Sequence, residues 1–152
     1  MAASTTLKGV EYTKTAAIVA GTASAESFPD ASKRKLRGMY DMFVHETVAY
    51  DAGSVISMGL LPKGCRVLGW TVAWEAQGAA VTADFTIGGV AASTAEAVTD
   101  MTSDGAIGFI PALVAFQQTP LTANSIVALV TAAQATGIGD QINITTWYID
   151  ED

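Results

Sequence analysis

Catalysis needs a nucleophile, a base or a set of metal ligands brought to one point, and this sequence supplies few such groups. His45 is the only histidine. It stands beside Glu46 on the polar side of an expected strand, which is a surface or interface position and not that of a general base. Cys65 is the only cysteine, so no intrachain disulfide and no two-cysteine zinc site can form, and a reducing compartment is expected. The sequence holds no phosphate-cradling G-x-x-x-x-G-K run, no H-E-x-x-H and no C-x-x-C. Gly137 and Gly139 open a G-x-G pattern, but Ile142 fills the third glycine position and the segment leads into a strand, so it reads as a turn. The run Asn143, Ile144, Thr145 is a glycosylation sequon in form only, because Met1 to Leu7 lacks the basic region and apolar run of an export signal.

Two constellations remain. Asp84, Glu96, Asp100 and Asp104 offer the oxygen ligands calcium takes, yet their spacing matches no calcium loop, and solvated acidic loops are the expectation. Trp70, Trp74, Trp147 and Tyr148 could stack on sugars, but Trp70 and Trp74 alternate along one face with Leu68 and Val72, the pattern of core or interface anchors. No enzyme, cofactor or metal site is expected.

Charge narrows the partners. Formal net charge is −7, and past Arg66 no Lys or Arg occurs, so that half of the chain would repel a polyanion and nucleic acid is not an expected partner. Lys33, Arg34, Lys35 and Arg37 gather four of the eight basic residues. They read either as a solvated turn before a strand or as a dock for an acidic partner surface.

The elements that would position these groups are strands. From Leu36 to Val44, Leu36, Tyr40, Met42 and Val44 share one face, while Arg37, Asp41 and His45 share the other; this alternation predicts a half-buried strand. Arg66 to Glu75 is the clearest case, with Leu68, Trp70, Val72 and Trp74 on one side. Further strands are expected at Ser54 to Met58, Val81 to Ile87, Ile126 to Ala132 and Gln141 to Ile149, and another around Ile107 to Phe116, broken near Pro111. Turns separate them at Asp51 to Gly53, Pro62 to Gly64, Gly88 with Gly89, Asp104 with Gly105, and Gly137 to Asp140. Ala91 to Met101 reads as a loop with one helical turn. Regular short strands of this kind predict an all-β antiparallel sandwich or barrel. Residues 1 to 34 are rich in Ala, Thr, Ser and Gly and hold too few large apolar side chains for a core, so they predict an extended arm ahead of a body at 35 to 152.

The 152 residues are 50% hydrophobic and only 15% charged, with mean hydropathy +0.34, which leaves little charge to cover a monomer. No stretch approaches the ~18 apolar residues of a spanning helix, since the longest candidate, Ile107 to Phe116, contains Pro111. A membrane is not an expected partner. The apolar excess predicts burial against other subunits.

Several strings resemble a known family. Lys8 to Lys14 (KGVEYTK), Gly38 to Asp41, Gly53 to Gly59 (GSVISMG) and Leu61 to Leu68 (LPKGCRVL, with Cys65 where the pattern leads one to expect Ala) are similar to small head-decoration, or cement, proteins of tailed bacteriophages, over about the first half of the chain. The resemblance implies a jelly-roll body with an N-terminal arm, assembly as a homotrimer, and attachment to the outer surface of a phage capsid near its three-fold or quasi-three-fold axes. The implied partners are the major capsid protein and further copies of the chain, and the implied location is the virion, after synthesis in the host cytoplasm. Candidate capsid and subunit contacts are Tyr12, Lys14, Lys33, Arg34, Lys35, Arg37, Trp70, Trp74 and Trp147. The alternative is a phage tail or fibre component, or another carbohydrate-binding sandwich that uses its exposed aromatics.

Overall fold

A computed structural model describes residues 35–44, 52–132 and 140–150. The expected arm, His45 and Glu46 lie outside the described residues, as do the contact candidates Tyr12, Lys14, Lys33 and Arg34. The strands are β1 (Lys35–Val44), β2 (Val55–Leu61), β3 (Arg66–Trp74), β4 (Ala83–Ile87), β5 (Val90–Ala91), β6 (Gly105–Pro111), β7 (Ser125–Thr131) and β8 (Gln141–Asp150); one short helix, α1 (Val114–Gln118), precedes β7.

They form two four-stranded sheets, ordered β1-β8-β3-β6 and β2-β7-β4-β5, and every pairing is antiparallel. The hydrogen-bonded neighbours β1 with β8, β2 with β7, β3 with β6 and β4 with β5 nest inside one another along the chain. That order is what results when one long hairpin is wound over two sheets, the jelly-roll arrangement. The expected all-β antiparallel sandwich is therefore the fold of the body.

The inward rows of both sheets make one core. Val67, Trp70 and Val72 of β3, Ile142 and Ile144 of β8, Phe85 of β4 and Leu129 of β7 are almost fully buried. Trp70 and Phe85 stack across the sandwich with ring centroids 4.2 Å apart and planes within 5°. Polar groups in this interior are used locally: the Ser93 hydroxyl accepts from the Phe85 N–H at 2.9 Å and donates to the Thr94 carbonyl at 3.0 Å.

Three expectations need correction. In β1 the row of Leu36, Tyr40 and Met42 points to solvent, and Met39 and Phe43 of the other row pack on the core. Both rows carry large apolar side chains, so period two alone did not fix the inward side. In β3, Leu68 does not share the face of Trp70: the pairing with β8 shifts register between Val67 and Gly69, and this bulge puts one extra residue on the outer side. The third concerns the later segments. Ala92 to Asp104 runs as irregular chain without a helix, while β5 and α1 form where neither was expected. Pro111 ends β6 by supplying no N–H to continue the ladder.

Candidate interaction surface

On the outer face of β1-β8-β3-β6 the registers set residues into rows that cross the strands. One row is Leu36, Ile149 and Arg66; the next is Gly38, Trp147 and Gly69, continued by Pro111 of β6; a third contains Tyr40, Thr145 and Thr71. Trp147 is thus flanked by glycine on both neighbouring strands. Its indole uses that room: a Cβ added at Gly38 would meet the ring at 3.0 Å. At its other edge the indole Nε1–H donates to Thr71 Oγ1 at 2.8 Å, and the Thr71 hydroxyl donates onward to the Gly108 carbonyl at 3.1 Å. Trp147 therefore lies along the sheet from β1 to β3, held at both edges.

Phe109 of β6 repeats the device. A Cβ at Gly69 would come within 2.6 Å of Phe109 Cζ and 2.2 Å of the Ile110 carbonyl oxygen, so the Phe109 ring occupies the space above Gly69. Leu36, Leu68, Thr71, Gly108, Phe109 and Trp147 enclose a shallow pocket of about 380 Å³. Leu36 and Tyr40 are each 64% exposed and Phe109 52%. Large apolar groups gathered on one exposed face mark a contact surface. Tyr40 is oriented by donation from its hydroxyl to Asn143 Oδ1 at 2.7 Å.

The body has the fold of phage capsid chains. It is similar to a chain in the capsid of Ralstonia phage GP4, at 17% identity and TM-score 0.58, covering 76% of this chain and 84% of that one. It is also similar to a chain of the Cyanophage Pam1 capsid asymmetric unit, at 17% identity and TM-score 0.56, covering 85% and 94%. At such identities the likeness is one of fold. No family model matches the sequence, and no curated protein sequence does.

Of the contact candidates within the described residues, Lys35 and Arg37 are exposed at the start of β1. Arg37 donates from Nε to Asp150 Oδ2 at 2.8 Å, an exposed pair of small energetic weight. Trp70 and Trp74, read as core or interface anchors, are core residues buried between the sheets, which corrects their place among the contact candidates. Trp74 also spends its indole N–H on the Ser103 carbonyl at 2.9 Å. Only Trp147 faces outward. Leu36, Tyr40, Leu68 and Phe109, which share this outer face with Trp147, were not among the candidates; the available signal was that Trp147 has the opposite parity to Ile142 and Ile144 in β8.

Three of the four candidate carboxylates accept from backbone N–H groups of the loops. Asp84 accepts from the Glu96 N–H, Asp104 from the Ala76 N–H at 2.8 Å, and Asp100 from both the hydroxyl and the N–H of Thr102. Those donors hold the Asp100 carboxyl below the usual carboxylate range.

Charge is divided between the two ends of the body. The end where β1 and β3 begin and β8 finishes carries Lys35, Arg37, Lys63 and Arg66, against the single described carboxylate Asp150. The opposite end carries Glu75, Asp84, Glu96, Asp100, Asp104 and Asp140, with no described cation. The apolar pocket lies toward the basic end.

Proposed function

We propose that this chain is a structural virion protein that decorates the outer surface of a phage head as a homotrimer near three-fold or quasi-three-fold axes, binding the major capsid protein and stabilising the shell. The observation that carries the reading is a jelly-roll body shared with phage capsid chains that leaves a rigid aromatic face, with an uncharged pocket, open to solvent. A protein whose work is contact needs such a face and no reaction centre.

The stabilising effect follows from burial. Each Å² of apolar area removed from water is worth roughly 25 cal/mol before ordering costs, so a subunit bridging a seam raises the number of contacts that internal pressure must break. Residues 1–34, with Tyr12, Lys14, Lys33 and Arg34, act in this reading as an arm lying along a neighbouring capsid subunit. The carboxylate-bearing end suits a surface facing solvent.

The test is binding of the full chain, and of a chain lacking residues 1–34, to heads purified from a phage in which this reading frame is deleted. The full chain is expected to saturate the heads and raise the temperature at which they release DNA, and the shortened chain to stay folded but bind poorly. Heads that neither bind the full chain nor gain stability would defeat the proposal.

A further inference from the structure

The pocket beside Trp147 differs from an ordinary apolar patch in three ways. It is built on rigid elements: the indole is fixed between Gly38 and Thr71, and Phe109 is seated over Gly69, so little side-chain freedom is lost when a partner arrives. Its lining holds no charge, and its one hydroxyl, on Thr71, already accepts from Trp147 and donates to Gly108. A sugar would find few groups to meet its hydroxyls there, whereas an apolar side chain loses nothing. The end of the body on which it lies is basic, with Lys35 next to Leu36 at the exposed start of β1 and Lys63 in the turn before β3.

Another groove on the body, of about 400 Å³ on the outer face of β2-β7-β4-β5, is lined by Val55, Ser57, Thr86, Asn124, Ser125 and Ile126 among others. It has no aromatic anchor, and Lys63 stands beside it with its backbone N–H donating to Asn124 Oδ1 at 2.8 Å.

We infer that the outer face of β1-β8-β3-β6 is the surface that docks on an acidic protein shell, with an apolar side chain of the shell entering the pocket against Trp147 and Phe109 and shell carboxylates meeting Lys35 and Lys63. The inference deepens the proposed capsid role and rests on it. Charge complementarity selects the occupant: the described carboxylates other than Asp41 and Asp150 lie toward the far end, so the field of the body turns this end toward negative surfaces. In sequence, Lys33 and Arg34 just before β1 and Glu151 and Asp152 just after β8 offset each other formally.

The experiment measures co-sedimentation of the full-length chain with heads lacking it, across about 50 to 500 mM NaCl. Leu36→Glu and Phe109→Glu, both at exposed positions, are compared with Val55→Glu and Ile126→Glu, exposed on the other sheet; thermal melts confirm that all four fold. The first pair is expected to weaken binding by about tenfold or more while the second pair binds as the parent does. Lys35→Glu with Lys63→Glu is expected to weaken binding and flatten its dependence on salt. If the parent binds and the first pair binds equally well, or the second pair fails instead, this assignment is overturned while the capsid role stands. If the parent does not bind heads, the capsid role itself fails. Should Leu36→Glu and Phe109→Glu convert an assembled parent to monomers in sedimentation, the face joins copies of the chain and the assignment to the shell is wrong.

Discussion

Trp70 on β3 and Phe85 on β4 belong to different sheets, and their stacked rings, 4.2 Å between centroids, fasten the two layers at mid-strand. Both side chains are fully buried. Phe85→Ala would therefore leave a void between the sheets and cost about 3 to 5 kcal/mol. Phe85→Leu keeps most of the volume and should cost clearly less. Urea unfolding followed by tryptophan emission checks both, and a Phe85→Ala variant as stable as the parent would mean the sheets are joined elsewhere.

The strands were legible where one face is apolar and the other is not. Val72 and Trp74 in β3, and Ile142 and Ile144 in β8, alternate with small or polar residues, and both strands form where the alternation places them. Legibility failed where both faces are apolar. In β1 the inward pair Met39 and Phe43 competes with the outward row Leu36, Tyr40 and Met42, and only packing chooses: Met39 Cε sits where a side chain on Gly59 of β2 would be, 2.7 Å from its Cβ position. The candidate surface suffered for the same reason. Trp147 was readable as an aromatic worth weighing, but its platform depends on Gly38, Gly69 and Thr71 arriving beside it from two other strands, and no local pattern encodes that register. The bulge at Leu68 and Gly69 hid a further member of the surface, because one inserted residue reverses the parity of everything beyond it.

Glycine substitutions on the outer face should separate close approach from free space. A Cβ at Gly69 would meet the Ile110 carbonyl oxygen at 2.2 Å, a backbone atom that cannot swing aside, whereas a Cβ at Gly108 would meet nothing within 4 Å. Gly69→Ala is expected to destabilise by about 3 kcal/mol or more, and Gly108→Ala to stay within about 0.5 kcal/mol of the parent. Equal melting temperatures for the two variants would contradict this packing.

Thr146 stands directly opposite Trp70 across β3 and β8, and neither Thr146 Oγ1 nor Trp70 Nε1 has a hydrogen-bond partner among the described residues, although both atoms are buried. A hydroxyl in that position has lost its water without gaining a partner, which costs about 1 to 3 kcal/mol. Thr146→Val keeps the shape and removes the polar atom. It should leave stability unchanged or raise it by about 1 kcal/mol. A loss of that size or more in the denaturant midpoint would show that the hydroxyl is bonded after all.

Cys65 closes the turn between β2 and β3 with its side chain in the core. Burial, with the negative charge of Asp150 second, pushes its thiol from the ordinary 9.0 up to about 11. Because the thiolate is the reactive species, the folded protein should resist iodoacetamide at pH 8, and its reactivity should climb only toward pH 11, while the urea-unfolded chain reacts with a midpoint near 9. The same difference links stability to pH. Below about pH 9 the thiol is protonated in both states and contributes no slope; between 9 and 11 the unfolded chain releases its proton first and binds fewer protons than the native state, so stability falls as pH rises. Cys65→Ala removes this component. Its stability should be lower overall for the lost packing, yet flatter between pH 9 and 11 than that of the parent, as read from denaturant midpoints across that window. Parallel curves for the two proteins would mean that the thiol ionises as easily in the fold as outside it, and that the β2–β3 turn is open to water.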